Sequence, residues 1–174
     1  MKKRLRPGFI LSLVFIICVG LLARINTLAR CQIAAQGSGK EQVAFKEVMP
    51  QAVKFSEVRR GQEILYYRAL DSQGKLIGFV FKASGKGYSS VIETLTGMFR
   101  DGKISAIKVI SSNETLGLGM RVAENSFTSQ FHNQDALSLS GVQAITGATV
   151  SSRAVINSVM KKAQEIKELI RDER

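Results

Sequence analysis

Four basic residues, Lys2, Lys3, Arg4 and Arg6, precede sixteen residues that carry no charge, Gly8 to Ala23 (GFILSLVFIICVGLLA). No other stretch constrains the chain as much. As a helix the run spans about 24 Å, somewhat short of the ~30 Å hydrocarbon core of a bilayer. Arg24 can snorkel, and Ile25, Leu28 and Ala29 extend the apolar character. A cleaved signal peptide is the alternative. Ala23-Arg24-Ile25 and Ala29-Arg30-Cys31 both fail as small-x-small cleavage sites, and Arg30 stands where a lipoprotein needs a small residue before Cys31. The reading adopted is an uncleaved single-span anchor. The basic flank places the N-terminus in the cytoplasm and the rest of the chain on the outer side of the cell membrane. Cys18 then packs within the span, and Cys31 is a solitary thiol near its surface.

The chain has 174 residues and a net charge of +11. Six of its basic residues, with no acid, fall in positions 1–30; without them the excess is five over the remaining 144 residues. That distribution argues against nucleic acid as a partner. Apolar residues make up 45% of the chain and prolines number two, so neither a disordered nor a collagen-like chain fits. Two separated cysteines and one histidine exclude a disulfide framework and a His/Cys zinc cluster.

The remainder reads as α+β: an antiparallel sheet flanked by helices, behind the single transmembrane helix. We divide it as 1–30, basic tail and anchor; 31–60, linker and short helix; and 61–174, an extracytoplasmic domain. Gln36 to Gly39 is a flexible linker, and Pro50 interrupts the apolar segment Glu41 to Val58, giving a short helix and then an extended or turn segment. Four strands are expected, over Glu63–Leu70, Lys75–Ala83, Val91–Arg100 and Lys103–Ser111. Between them lie a turn at Asp71–Gly74, a glycine-rich loop at Ser84–Tyr88, and Asp101-Gly102 as a two-residue hairpin signal. Met120 to Phe131 reads as a helix with Phe127 and Phe131 in the core. Val155, Val159, Ala163, Ile166 and Ile170 recur at helical spacing to the C-terminus. Ser151 or Ser152 can cap that helix.

Two glycine-containing segments invite chemistry. Thr146-Gly147-Ala148-Thr149 stands before the C-terminal helix, with Ser151 and Ser152 following. Small residues admit a ligand to the backbone, hydroxyls contact it, and the free N–H groups of a helix start favour an anion. Such a segment also serves as a plain helix cap with a tight turn. Glu114-Thr115-Leu116-Gly117-Leu118-Gly119 can likewise be no more than a surface loop.

Taken in order, GKGYSSVIETLTGMFRDGKISAIKVISSNETLGLG, a helix ending in QF, and ITGATVSS resemble the covalent-FMN-binding domain family. That family includes the G subunit of the Rnf electron-transport complex and the C subunit of the sodium-translocating NADH:quinone reductase. The resemblance implies FMN joined through its phosphate to Thr149, the threonine that ends S/T-G-A-T. It implies that Thr146, Gly147, Ala148, Ser151 and Ser152 surround the phosphate and that Glu114, Thr115, Leu116 and Gly117 lie beside the flavin. Gly119 would also allow close approach, and Tyr88 is a weaker candidate for stacking. Implied partners are the other membrane subunits of an Rnf complex and a flavin transferase. The expected function is electron relay within that complex, without catalysis by this one component alone. Compact length and a single anchor favour the Rnf member of the family over the quinone reductase member. Two positions depart from the family: Leu116 stands where proline is common, and Gln143 where the motif usually has Asp. A non-redox extracytoplasmic scaffold, supported by Gln143, and a hydrolase using His132 as its base are the readings from other classes. His132, near the end of the expected helix, otherwise only complements the helix dipole.

Overall fold

The computed structural model describes residues 42–172 and, before them, residues 12, 15, 16, 18–20 and 24, which are helical. Most of the expected anchor, the linker at Gln36–Gly39 and Cys31 lie outside the described residues. Among the described residues no helix is long and apolar enough to cross a membrane. The chain divides into Met1–Gln42 and Val43–Arg174; the second unit holds the sheet.

A short helix, α1 (residues 42–48), leads into that unit and ends just before Pro50. Five strands follow: β1 Lys54–Arg60, β2 Glu63–Leu70, β3 Leu76–Lys86, β4 Val91–Phe99 and β5 Ile104–Ser111. They pair antiparallel in sequence order. The sheet therefore has one strand more than the four expected. Residues 54–60, assigned with 31–53 to the linker and short helix, pair with β2 from Lys54↔Leu70 to Arg60↔Glu63. The sequence KFSEVRR hides this strand because it is an edge strand with only Phe55 and Val58 half-buried, which leaves too few apolar positions to show a period.

Both faces of the sheet are covered, which explains the imperfect alternation in β3. Phe79 and Phe81 enter one core with Tyr66, Phe127, Phe131 and the C-terminal helix residues Val155, Val159, Ala163 and Ile166. Val80, between them, enters the other with Tyr67, Leu95 and the α1 side chains Phe45 and Val48. A strand buried on both sides reads as a continuous apolar run. Gly97 of β4 lies against the Val48 carbonyl, so α1 sits directly on the strand.

Turns carry their own chemistry. The Asp71 carboxylate accepts from the N–H groups of Gln73 (2.8 Å) and Lys75 (2.9 Å), as an Asx turn does. The β4–β5 connection is the four residues Arg100 to Lys103, not the expected two. Phe99 N–H donates to the Lys103 carbonyl and Gly102, at φ 90°, donates back to Phe99. The glycine-rich segment after β3 is also shorter than expected: Ser84, Gly85 and Lys86 are paired strand, and only residues 87–90 form the loop.

The helix expected over Met120–Phe131 is broken into a 3₁₀ turn at Gly119–Ala123, the four-residue α2 (Asn125–Thr128), and a second 3₁₀ turn at Ser129–Phe131. Its apolar residues are still placed inward: Val122, Phe127 and Phe131 are fully buried. Their spacing suits any helical backbone, so it does not reveal the breaks. After an irregular stretch comes α3, Thr149–Asp172, 24 residues and about 36 Å long.

Candidate functional site

Three separate segments meet at the start of α3: the β3–β4 loop at 87–90, the loop after β5 at 114–119, and the turn at 146–148. Together they form a cleft of about 430 Å³.

The helix start is built without a side-chain cap. The Ala148 carbonyl accepts the first helical bond, from Ser152 N–H at 2.9 Å, so Ala148 holds the cap position. Neither serine takes the expected capping role. The Ser151 hydroxyl donates to Glu114 Oε2 at 2.7 Å, and the Ser152 hydroxyl accepts from Ile145 N–H at 3.1 Å. Both serines are buried. The N–H groups of Thr149, Val150 and Ser151 consequently find no acceptor among the described residues, and the dipole of a long helix ends there. Thr149 is exposed, and its hydroxyl has no partner among the described residues. Gly147 bends the chain into the helix at φ 82°, a backbone that residues with a Cβ rarely adopt.

Glu114 organises the opposite side. It is 5% exposed. Its Oε1 accepts from the N–H groups of Ser90 (2.8 Å) and Ser89 (3.0 Å) and from the Ser90 hydroxyl (3.2 Å); its Oε2 accepts from Tyr88 N–H (3.3 Å) in addition to Ser151. Burial pushes this carboxyl up, but the hydrogen bonds from Ser151, Ser90 and Ser89 outweigh it and hold the group below its ordinary value of 4.5. Glu114 is therefore an anion at neutral pH.

The lining is otherwise apolar or uncharged. Tyr88, Leu118 and Val150 face the cleft, with Tyr88 75% exposed. Among the described residues that line it, none is Lys or Arg. Of the residues singled out in the sequence, Glu114, Thr115, Gly119, Gly147, Ala148, Thr149 and Ser151 line the cleft. Thr146, Leu116, Gly117 and Ser152 are not among its lining residues. Thr115 joins the β3–β4 loop through a 3.3 Å contact between its hydroxyl and that of Ser89. Leu116 is 82% exposed at the tip of its turn. Sequence reasoning does not reach Leu118 and Val150 as cleft residues; Leu118 stands between two glycines and Val150 between Thr149 and Ser151, so neither position carries a signal of its own. The Gln143 side chain is exposed and does not line the cleft, while its N–H donates to Gln130 Oε1 at 2.8 Å.

His132 lies elsewhere, in a second cavity of about 390 Å³ beside β5. Its Nδ1 lies 2.6 Å from the Ser105 carbonyl, so Nδ1 carries the proton and donates it. The helix end that it was expected to complement is only the short 3₁₀ turn. Among the described residues, no cluster of His, Cys, Asp or Glu could hold a metal ion.

Residues 87–164, which include all three cleft segments, match the FMN-binding domain family. The G subunit of the ion-translocating oxidoreductase complex of Methanosarcina acetivorans is 32% identical over 82% of this chain and 84% of its own. The chain belongs to this family of FMN-binding G subunits. Its counterpart in the sodium-translocating ferredoxin:NAD(+) oxidoreductase complex of Acetobacterium woodii is 28% identical over 94% of this chain and 91% of its own. The counterpart in the proton-translocating ferredoxin:NAD(+) oxidoreductase complex of Clostridium ljungdahlii is 35% identical over 66% and 65%. Among solved structures, NqrC of Shewanella oneidensis covers 70% of this chain and 74% of its own at a TM-score of 0.52 and 18% identity. That likeness establishes the shared α+β fold.

Proposed function

We propose that this protein is the flavin-carrying subunit of a membrane-bound, ion-translocating electron-transport complex of the Rnf type, with FMN joined through its phosphate to Thr149. The observation that carries this reading is the exposed, unpartnered Thr149 hydroxyl on the first turn of α3, beside three backbone N–H groups without an acceptor among the described residues.

The residues present fit the group. A phosphoester on Thr149 would set its oxygens against the N–H groups of Thr149, Val150 and Ser151, where the helix dipole favours negative charge. Gly147 and Ala148 leave room for it beside the backbone. Tyr88, Leu118 and Val150 offer apolar surface to a flat ring, and Glu114 holds in place the loops that frame it. Bound FMN supplies the electron transfer; the chain supplies attachment, orientation and the surrounding charge. With no Lys or Arg in the described lining, the tether rather than an ion pair retains the group. In this reading residues 1–30 anchor the chain in the cell membrane, with the sheet unit on the outer side. Other subunits of the complex donate and accept the electrons, and a flavin transferase makes the bond.

The C subunit of the sodium-translocating NADH:quinone reductase is the second reading. Its support is the fold shared with NqrC, whereas the relatives matched over most of the chain are G subunits.

Intact mass of the protein extracted from native membranes tests the proposal, with Thr149→Ala beside it. The bond from Thr149 Oγ1 to phosphorus forms with the net loss of one water, so the expected gain is FMN less one water. The variant should lose both that mass and its in-gel flavin fluorescence. A native protein carrying no flavin would overturn the reading in favour of a scaffold module.

A further inference from the structure

We propose that Glu114 is a positioning residue, whose carboxylate ties the β3–β4 loop to the first turn of α3 and so presets the cleft before the flavin arrives. The inference rests on the reading of Thr149 as the FMN site, and it revises the part that the family resemblance implied for Glu114. A carboxylate has about four lone-pair positions. Here five donors converge on it, from Tyr88, Ser89, Ser90 (N–H and hydroxyl) and Ser151. Little acceptor capacity remains for a ligand.

A second, independent observation points the same way. Two glycines are cut to the carboxylate. A Cβ at Gly87 would lie 2.6 Å from Glu114 Oε1, and one at Gly119 would lie 2.7 Å from both Glu114 Oε2 and its Cβ. Each of the two loops therefore gives up a side chain so that the carboxylate can pass between them. The bonds cross 24 to 37 residues of sequence. They join the loop that carries Tyr88 to the helix turn that carries Thr149, and both of these residues line the cleft. Glutamine has the shape for this place but one acceptor oxygen; its NH₂ would confront N–H and O–H donors.

The tie has two consequences for a bound flavin. Tyr88 is held at a set distance from Thr149, so the ring is confined. A fixed negative charge is also retained in the cleft, and it opposes the addition of electrons. Removing the charge must raise the flavin midpoint potential, and a purely architectural residue would not do that.

The experiment compares the full-length flavinylated protein with Glu114→Gln and Ser151→Ala. The readouts are flavin fluorescence anisotropy, midpoint potential and melting temperature. Expected results are lower anisotropy in both variants and an upward potential shift in Glu114→Gln only, since Ser151→Ala breaks the helix tie and keeps the charge. Ser151→Ala removes a single hydrogen bond, so it keeps the test open if Glu114→Gln fails to fold. Wild-type anisotropy and potential in whichever variants fold would overturn the positioning role. A wild-type protein without flavin on Thr149 would overturn the function itself, an outcome read from the intact mass before any variant is compared.

Discussion

Gly85 of β3 lies against the backbone carbonyl of Ala154 in the second turn of α3, so closely that the oxygen occupies the place of a Cβ. Ser158 is next to it, 3.2 Å from the same position. Gly85 thus sets how near α3 comes to the sheet, and with it where Thr149 stands relative to the β3–β4 loop. Gly85→Ala must push backbone against backbone. We expect a loss of about 1–3 kcal/mol, the usual cost of overpacking, and a smaller flavinylated fraction. Urea unfolding and intact mass on the same preparation check both.

The Glu114 carboxyl gives a pH dependence of known sign. Its folded-state pKa lies below its ordinary value of 4.5. Its stabilising contribution is therefore complete above about pH 4.5 and is lost as pH falls through the lower, folded-state value. The stability gap between the wild type and Glu114→Gln should be constant from neutral pH to about 5 and close below 4.5. Denaturant melts across that range test it; a gap that widens on acidification would contradict the assignment.

The turn at Thr115–Leu118 makes a prediction about the family's missing proline. Leu118 N–H donates to the Thr115 carbonyl at 3.3 Å, and Gly117 between them has φ 76°. That is the type II pattern, in which proline suits the second position and glycine the third. Leu116 holds the second position, and its own N–H has no acceptor among the described residues. Leu116→Pro should stabilise the protein by about 0.4–1 kcal/mol through the unfolded chain, with flavin content unchanged. A shift in melting temperature checks it.

His132 separates a structural histidine from a catalytic one. Its Nδ1–H ties the end of the broken helical segment to Ser105 of β5. His132→Ala should cost about 1 kcal/mol, the net value of one such bond, and leave flavin content and midpoint potential alone. A change in either would give His132 a part in the redox site.

Legibility in the sequence follows burial. The C-terminal helix is plain because Val155, Val159, Ala163 and Ile166 are all fully buried against one face of the sheet. The central strands are plain because their β-formers are buried between two layers. β1 is not, since its edge position leaves most of its side chains in water. The segment Met120–Phe131 reads as one helix because burial of Phe127 and Phe131 constrains their spacing and not the hydrogen bonding between them. At the cleft, Thr149 and its glycine can be picked out by motif. The convergence on Glu114 cannot, because it joins residues far apart in sequence and uses main-chain N–H groups that any residue carries. Ser151 lines the cleft and Ser152 does not, and neither caps the helix, for the same reason: a hydroxyl near a helix start has several possible partners, and only the tertiary fold selects one.

Strand order also bears on when Thr149, the proposed attachment residue, becomes usable. The five strands follow one another in sequence and pair as neighbours, so each can add to the last as the chain emerges. Thr149 opens the helix that comes after all of them, and its surroundings exist only once that helix has closed over Phe79 and Phe81. A polypeptide cut off after β5 lacks both the hydroxyl and the wall behind it. A covalently held flavin would therefore mark finished copies alone, and a cell that assembles only coloured subunits would be sorting complete from incomplete chains with no separate inspection step.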